Sequence, residues 1–173
     1  MKLPLLRRRH ARESGNSMIE TVMFMPLLIL LLVGTFQFGR VTFLYFQVHK
    51  TLYGLARLVA TRQGANLCDA ADPEILSVKN FALSGSSDGT EPLVTGLTAD
   101  LVTIRLERQE ADSAILSECE CSLTGCDISQ GGQQPQFIVV SMPEGFQVTV
   151  TIPYLLQQTV TLRPTVRVPA GGL

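Results

Sequence analysis

Polarity along the chain is uneven. From Thr21 to Phe38 no residue is charged, and within Val22–Phe38 only Thr35 and Gln37 interrupt the apolar run. Starting from Met18, the run reaches the ~20 residues that a helix needs to cross a bilayer. A transmembrane helix is therefore expected over about residues 18–39. Pro26 lies early in it and is expected to kink the helix or free a carbonyl. Gly34 and Gly39 fit either ordinary membrane-helix composition or close packing against a second helix.

The pattern changes after the span without breaking. Val41, Tyr45, Val48, Leu52, Leu55 and Val59 advance in alternating steps of four and three, which puts them on one helical face. No proline occurs between residues 27 and 72. One helix is thus expected from about Ser17 to about Gln63, roughly 70 Å long. Half of it would lie in lipid, and half would project with a stripe to bury against its own domain, neighbouring subunits or both. Gly64 and Asn66 supply the stop. Asp72-Pro73-Glu74 then reads as N-cap, first helical residue and first-turn acid of a short helix, with Ile75, Leu76, Val78, Phe81 and Leu83 toward a core. Residues 84–92 read as an exposed loop. Apolar and polar residues alternate from Val102 through Leu101–Arg108, as in a half-buried strand. Further strands are expected at Phe137–Ser141, Phe146–Ile152 and Thr159–Val168. Met142–Gly145 reads as a hairpin turn between the first two of these, and Pro164 pushes the last to an edge or splits it. The predicted class is α+β: a long N-terminal helix, a short helix and an antiparallel sheet of about four strands. The expected division is a leader at 1–15, the long helix at 16–63 and one small domain at 64–173.

Charge and cysteine content sharpen this picture. The chain of 173 residues carries 14 Lys+Arg and 15 Asp+Glu, but Lys2, Arg7, Arg8, Arg9 and Arg12 crowd the N-terminus with Glu13 as their only acid. A short basic tip without aromatic residues gives no basis for nucleic-acid binding. It matches the positive-inside signal that keeps an N-terminus in the cytoplasm. Cys68, Cys119, Cys121 and Cys126 would then all lie on the oxidising side, where disulfides persist. Four cysteines allow three connectivities, of which a Cys119–Cys121 bridge closes a short, strained loop and ranks last. Metal binding is disfavoured, because Cys-x-Cys-x4-Cys lacks paired zinc spacing and no histidine is near.

Catalytic constellations do not emerge. His10 lies in the basic tip, and His49 stands beside Lys50 on the projecting helix. The serines form no Gly-x-Ser-x-Gly elbow, and the glycine-rich stretches lack the Lys-Ser/Thr of a phosphate loop. Asp69 with Asp72, and Glu107 with Glu110, read as solvated faces. No enzyme activity and no cofactor are expected.

The informative stretch is Gly15-Asn16-Ser17-Met18-Ile19-Glu20, where the basic tip meets the apolar run. A secretory signal would place a small-x-small cleavage site after the run, yet the sequence there is Val33-Gly34-Thr35-Phe36-Gln37-Phe38. The arginine triplet lacks the context of a twin-arginine signal. Cleavage before the run, after Gly15, would make Asn16 the first residue and Glu20 the fifth. An acid at the mouth of a span is costly unless paired. Either a neighbouring subunit's new α-amine pairs with Glu20, or Glu20 sits in the first helical turn at headgroup level, helped by the helix dipole.

Gly15-Asn16-Ser17-Met18-Ile19-Glu20, followed by Met25-Pro26-Leu27-Leu28-Ile29-Leu30-Leu31-Leu32, Phe38-Gly39-Arg40 and Ala56-Arg57-Leu58-Val59-Ala60-Thr61, resembles the start of the TadE-like family. These are minor pseudopilins of the tight-adherence (Flp, type IVc) pilus machinery of bacteria. The resemblance is strong over residues 14–62; beyond, Val148–Tyr154 is similar only in pattern. It implies cleavage by a prepilin peptidase between Gly15 and Asn16, with Glu20 setting register during assembly. It also implies as partners the major Flp pilin, other minor pseudopilins, an inner-membrane assembly platform and the lipid bilayer. The location implied is the inner membrane, with the N-terminus cytoplasmic and the domain periplasmic. A polar Asn16 and a cysteine-bearing domain are departures from the family pattern. A pseudopilin of a type II secretion or competence apparatus shares the leader logic, and a signal-anchored sensor or enzyme is the alternative from another class.

Overall fold

A computed structural model describes residues 13–62, 66–69, 71–109, 115–152 and 156–171, with backbone alone at 13–17, 152 and 156. The first element, α1, runs unbroken over Glu13–Thr61 with Pro26 inside it. Its 49 residues make a rod of about 73 Å at ~1.5 Å per residue. The helix begins before Ser17, so the junction between Gly15 and Asn16 is helical backbone. Gly64 lies outside the described residues.

The two halves of α1 have different surroundings. Every residue from Met18 to Leu32 is exposed, whereas Val48, Leu52, Leu55, Ala56 and Val59 are at most 1% exposed. Tyr45 does not belong to the buried stripe, being 38% exposed. Leu44 packs against the core in its place, together with Val41. The observed row Val41, Leu44, Val48, Leu52, Leu55, Val59 keeps the helical period but takes the aliphatic neighbour, which leaves the phenol free to face water.

The second helix, α2, spans Pro73–Ser84 and is built locally as its sequence predicts. The Asp72 carboxylate accepts from the Glu74 and Ile75 amides, Pro73 opens the helix and Gly85 closes it in the left-handed conformation at φ 77°. Ile75, Val78 and Leu83 are buried, but Leu76 and Phe81 are exposed. Ala82 packs against the core beside Ile75, Val78 and Leu83. Lys79 of this helix is half-buried, and its Nζ donates to the Val102 carbonyl at 3.1 Å. Loss of water around this ammonium lowers the Lys79 pKa, and Asp100 partly opposes the shift.

The strands are β1 (Thr103–Gln109), β2 (Leu116–Glu118), β3 (Phe137–Ser141), β4 (Phe146–Ile152), β5 (Leu156–Leu162) and β6 (Thr165–Pro169). Four of them form one antiparallel sheet in the order β2-β1-β3-β6, and β4 pairs with β5 as a separate two-stranded ribbon. The class is α+β. Met142–Gly145 does turn, with the Gly145 amide donating to the Met142 carbonyl at 3.1 Å. It does not close a β3–β4 hairpin, because both edges of β3 are already taken by β1 and β6. The turn instead hands the chain from the sheet to the ribbon. Pro164, which is fully buried, separates β5 from β6, so the single strand expected over Thr159–Val168 is two.

One face of the sheet, with Leu106, Ile138, Val140, Val166 and Val168, closes over the second half of α1 in a single apolar cluster. On the other face Val139 is paired across the strands with Arg105 and Arg167, and the guanidinium stems cover it. Arg167 lies 2.7 Å from Glu107 across β3.

Candidate functional site

The residues singled out by the sequence fall at three places along α1. Gly15 and Asn16 lie in its first turn, where only backbone is described. Glu20 follows one turn later, exposed, and has no ion-pair partner among the described residues. Above it the helix has a mean hydropathy of 2.2 over an 18-residue window, none of which is buried. An apolar cylinder that nothing in the chain covers requires lipid or another protein around it. A single N-terminal helix of this kind is compatible with a membrane-anchored protein.

Polar groups inside the cylinder are dealt with locally. The Thr35 hydroxyl donates to the Leu31 carbonyl at 2.8 Å, a bond within the helix itself. The Gln37 amide does something sequence reasoning did not foresee. Its Nε2 donates to the Thr151 carbonyl at 2.8 Å, across a separation of 114 residues, and ties the end of β4 to the top of the apolar segment. The only sequence signal was a lone amide in an apolar run. Gly34 and Gly39 have open space where a Cβ would stand, so close approach within the chain does not explain them.

The four cysteines pair as Cys68–Cys121 and Cys119–Cys126, with Cα–Cα distances of 5.4 and 5.7 Å. The first bond joins the segment after α1 to the loop after β2; the second winds that loop upon itself. Gly125 is required there, since a Cβ would collide with the Glu120 carbonyl. Asp127, buried within the loop, accepts from the Ser129 amide at 3.0 Å. All four sulfurs are consumed, and no group of His, Cys, Asp or Glu suited to a metal occurs among the described residues.

The acidic pairs have separate tasks. Asp72 caps α2 and also accepts from the Asn66 amide at 3.1 Å, while Asp69 accepts from the Ala71 amide at 2.9 Å. Glu107 pairs with Arg167, and Glu110 lies outside the described residues. His49 is half-buried beside the Tyr45 ring, with centroids 6.1 Å apart. His10 lies outside the described residues. An open cleft of about 210 Å³ is lined by Arg108, Ser117, Glu118, Glu120, Ser122 and Thr124, which place no nucleophile beside a histidine base. The distinctive arrangement is therefore the axis of α1: a junction at Gly15, an acid without an ion-pair partner among the described residues, an uncovered apolar cylinder and a domain clasped to the far half.

No curated protein and no solved structure matches the chain. A family model does, over residues 15–57, and its description is TadE-like protein. The matched region starts at Gly15 and runs through the uncovered cylinder into the domain-bound half of α1. Over that region the chain is similar to TadE-like proteins.

Proposed function

We propose that the chain is a minor pseudopilin of the TadE or TadF type, which takes part in assembling a tight-adherence (Flp, type IVc) pilus after a prepilin peptidase removes residues 1–15. The observation that carries this reading is where the family match begins, at Gly15, the residue after which cleavage would expose Asn16. The split of α1 supports it, because one half is bare and apolar while the other is clothed by its own domain. Its work is structural rather than catalytic. Its partners are the peptidase, the major pilin, other minor pseudopilins and the assembly platform in the inner membrane. The N-terminus is cytoplasmic and the domain periplasmic, and two disulfides on the C-terminal side support that orientation.

Co-expression with an active prepilin peptidase tests the proposal. Intact mass is expected to fall by residues 1–15, and Gly15→Ala is expected to leave most of the protein at full length. An unchanged mass beside a control pilin that is cut would remove the reading.

A further inference from the structure

Two rows of side chains run along the projecting half of α1, and the domain covers only one of them. Phe43, Phe46, Lys50, Tyr53 and Arg57 advance by three, four, three and four residues, so they form a single helical row. Phe43, Phe46, Lys50 and Arg57 each follow a member of the covered row, Val41, Leu44, Val48 and Leu55, by two residues, which is about 200° around the helix. The second row therefore lies on the side of α1 turned away from its own domain. Phe43 is 61% and Phe46 65% exposed, and Lys50, Tyr53 and Arg57 are exposed as well. The same spacing continues toward the N-terminus through Gly39, Phe36 and Leu32, and a Cβ on Gly39 would meet no atom within 4 Å. Alternating steps of three and four, sustained from Leu32 to Arg57, are the pattern of a helix seam that packs on another helix.

With a span that ends at Phe38, lipid does not cover the upper part of this seam. Phe46 stands about 12 Å and Tyr53 about 22 Å beyond Phe38, whereas a headgroup layer is about 5–8 Å thick. A second copy of α1 does not fit the seam either. Two copies inserted the same way and in register set Lys50 against Lys50 and Arg57 against Arg57, and like charges at seam positions oppose pairing. Sliding one copy along the other brings no counter-charge, because α1 has no acid between Thr21 and Thr61. The nearest acid of the helix, Glu20, is about 45 Å from Lys50 along the axis. Neither Lys50 nor Arg57 has an ion-pair partner among the described residues.

We propose that the row from Phe43 to Arg57 is a docking seam for a helix of a different membrane protein. That helix is apolar where it meets Phe43 and Phe46, and it carries Asp or Glu where it meets Lys50 and Arg57. The apolar contacts take the two exposed rings out of water. The two cations select the partner, since they repel a second copy and pair with an acidic helix. The domain packs on the opposite row and leaves the seam clear. The inference rests on α1 crossing a bilayer, as in the function proposed above, and is independent of cleavage after Gly15.

A charge-reversed form of the chain supplies the probe. Full-length wild type and Lys50→Glu/Arg57→Glu are labelled with donor and acceptor dyes on a C-terminal tag and reconstituted at low protein density in phosphatidylcholine vesicles. Each protein alone is expected to give only the energy transfer of random collisions. The equimolar mixture is expected to exceed that level by about threefold or more. Phe43→Ala/Phe46→Ala in the wild-type partner is expected to remove most of the excess. Both rings are exposed, so circular dichroism should show an unchanged unfolding midpoint for that variant. Arg40→Glu/Arg62→Glu makes the same charge change off the seam and is expected to stay at the collision level beside wild type. A mixture of wild type and Lys50→Glu/Arg57→Glu that stays at that level overturns the seam. Equal transfer with the off-seam variant assigns the effect to general charge attraction and overturns it too. Excess transfer by wild type alone identifies a second copy as the occupant and overturns the proposal. None of these variants alters Gly15 or Glu20, so those three outcomes leave the proposed function standing. Protein that does not float with the vesicles removes the span, and with it both readings.

Discussion

Asp72 shows how much a single residue can specify when its partners are near in sequence. Its carboxylate collects the amides of Asn66, Glu74 and Ile75, so it fixes both the entry to α2 and the turn that precedes it. These hydrogen bonds, that from Asn66 foremost, hold its pKa below the ordinary 3.8. A carboxylate with a lowered folded pKa stabilises the fold fully above its unfolded value, and that contribution is lost as pH falls through the folded value. Thermal unfolding followed by circular dichroism should therefore show an acid-side loss below about pH 4 that Asp72→Ala lacks. At neutral pH Asp72→Ala should lower the midpoint by several degrees, and Asp72→Asn by less, since an amide oxygen still caps. This cap was legible in the sequence because Asp72-Pro73-Glu74 needs no distant partner. Tyr45 and Phe81 were not: helical period places both near the buried row, but only the packed domain shows that Leu44 and Ala82 take the apolar places.

Elements were legible in proportion to how local their bonding is. The long helix, the short helix and the strand segments follow from period and turn chemistry, and Pro164 correctly signals a break. Pairing was not legible, because the turn at Met142–Gly145 is equally compatible with a hairpin and with a change of sheet. The choice depends on β1, more than thirty residues upstream, already holding one edge of β3. The candidate site divides likewise: Gly15 and Glu20 are marked by the local junction of charge and apolarity, whereas Gln37 with Thr151 needs the folded domain. The cysteines lie between these cases, since their oxidation was legible and their connectivity was not. Cys68–Cys121 spans 53 residues and Cys119–Cys126 spans 7. Loop-closure entropy assigns them about 4 and about 2 kcal/mol respectively. In urea titrations of the full chain in detergent micelles, Cys68→Ser/Cys121→Ser should accordingly cost about twice as much as Cys119→Ser/Cys126→Ser. Equal losses would place the stabilisation in the loop rather than in its tie to α1.

At the scale of the whole molecule the function proposed above raises the question of how a subunit held in lipid would leave it for a filament. On that proposal the bare half of α1 exchanges lipid for neighbouring helices. Glu20 is exposed, has no ion-pair partner among the described residues and stands at the mouth of the segment that moves. In the proposed filament that position would be dry, and an unpaired carboxylate there would cost several kcal/mol. The amine that the proposed cut after Gly15 would release is a cation of suitable size on a neighbouring subunit. Glu20→Ala and Glu20→Gln should both leave leader removal unchanged, since mass analysis reads the cut at Gly15 and not the pairing. Each should reduce sheared pili, quantified by immunoblot of the major pilin, by about tenfold or more, because a neutral side chain gives the buried amine no counter-charge. Glu20→Asp keeps the charge on a shorter stem and should restore part of the yield. Normal piliation by Glu20→Gln would assign the acid to the headgroup layer, where the positive end of α1 steadies it. A loss in Glu20→Ala that Glu20→Asp partly reverses, with cleavage intact in both, would assign its charge to the assembled state.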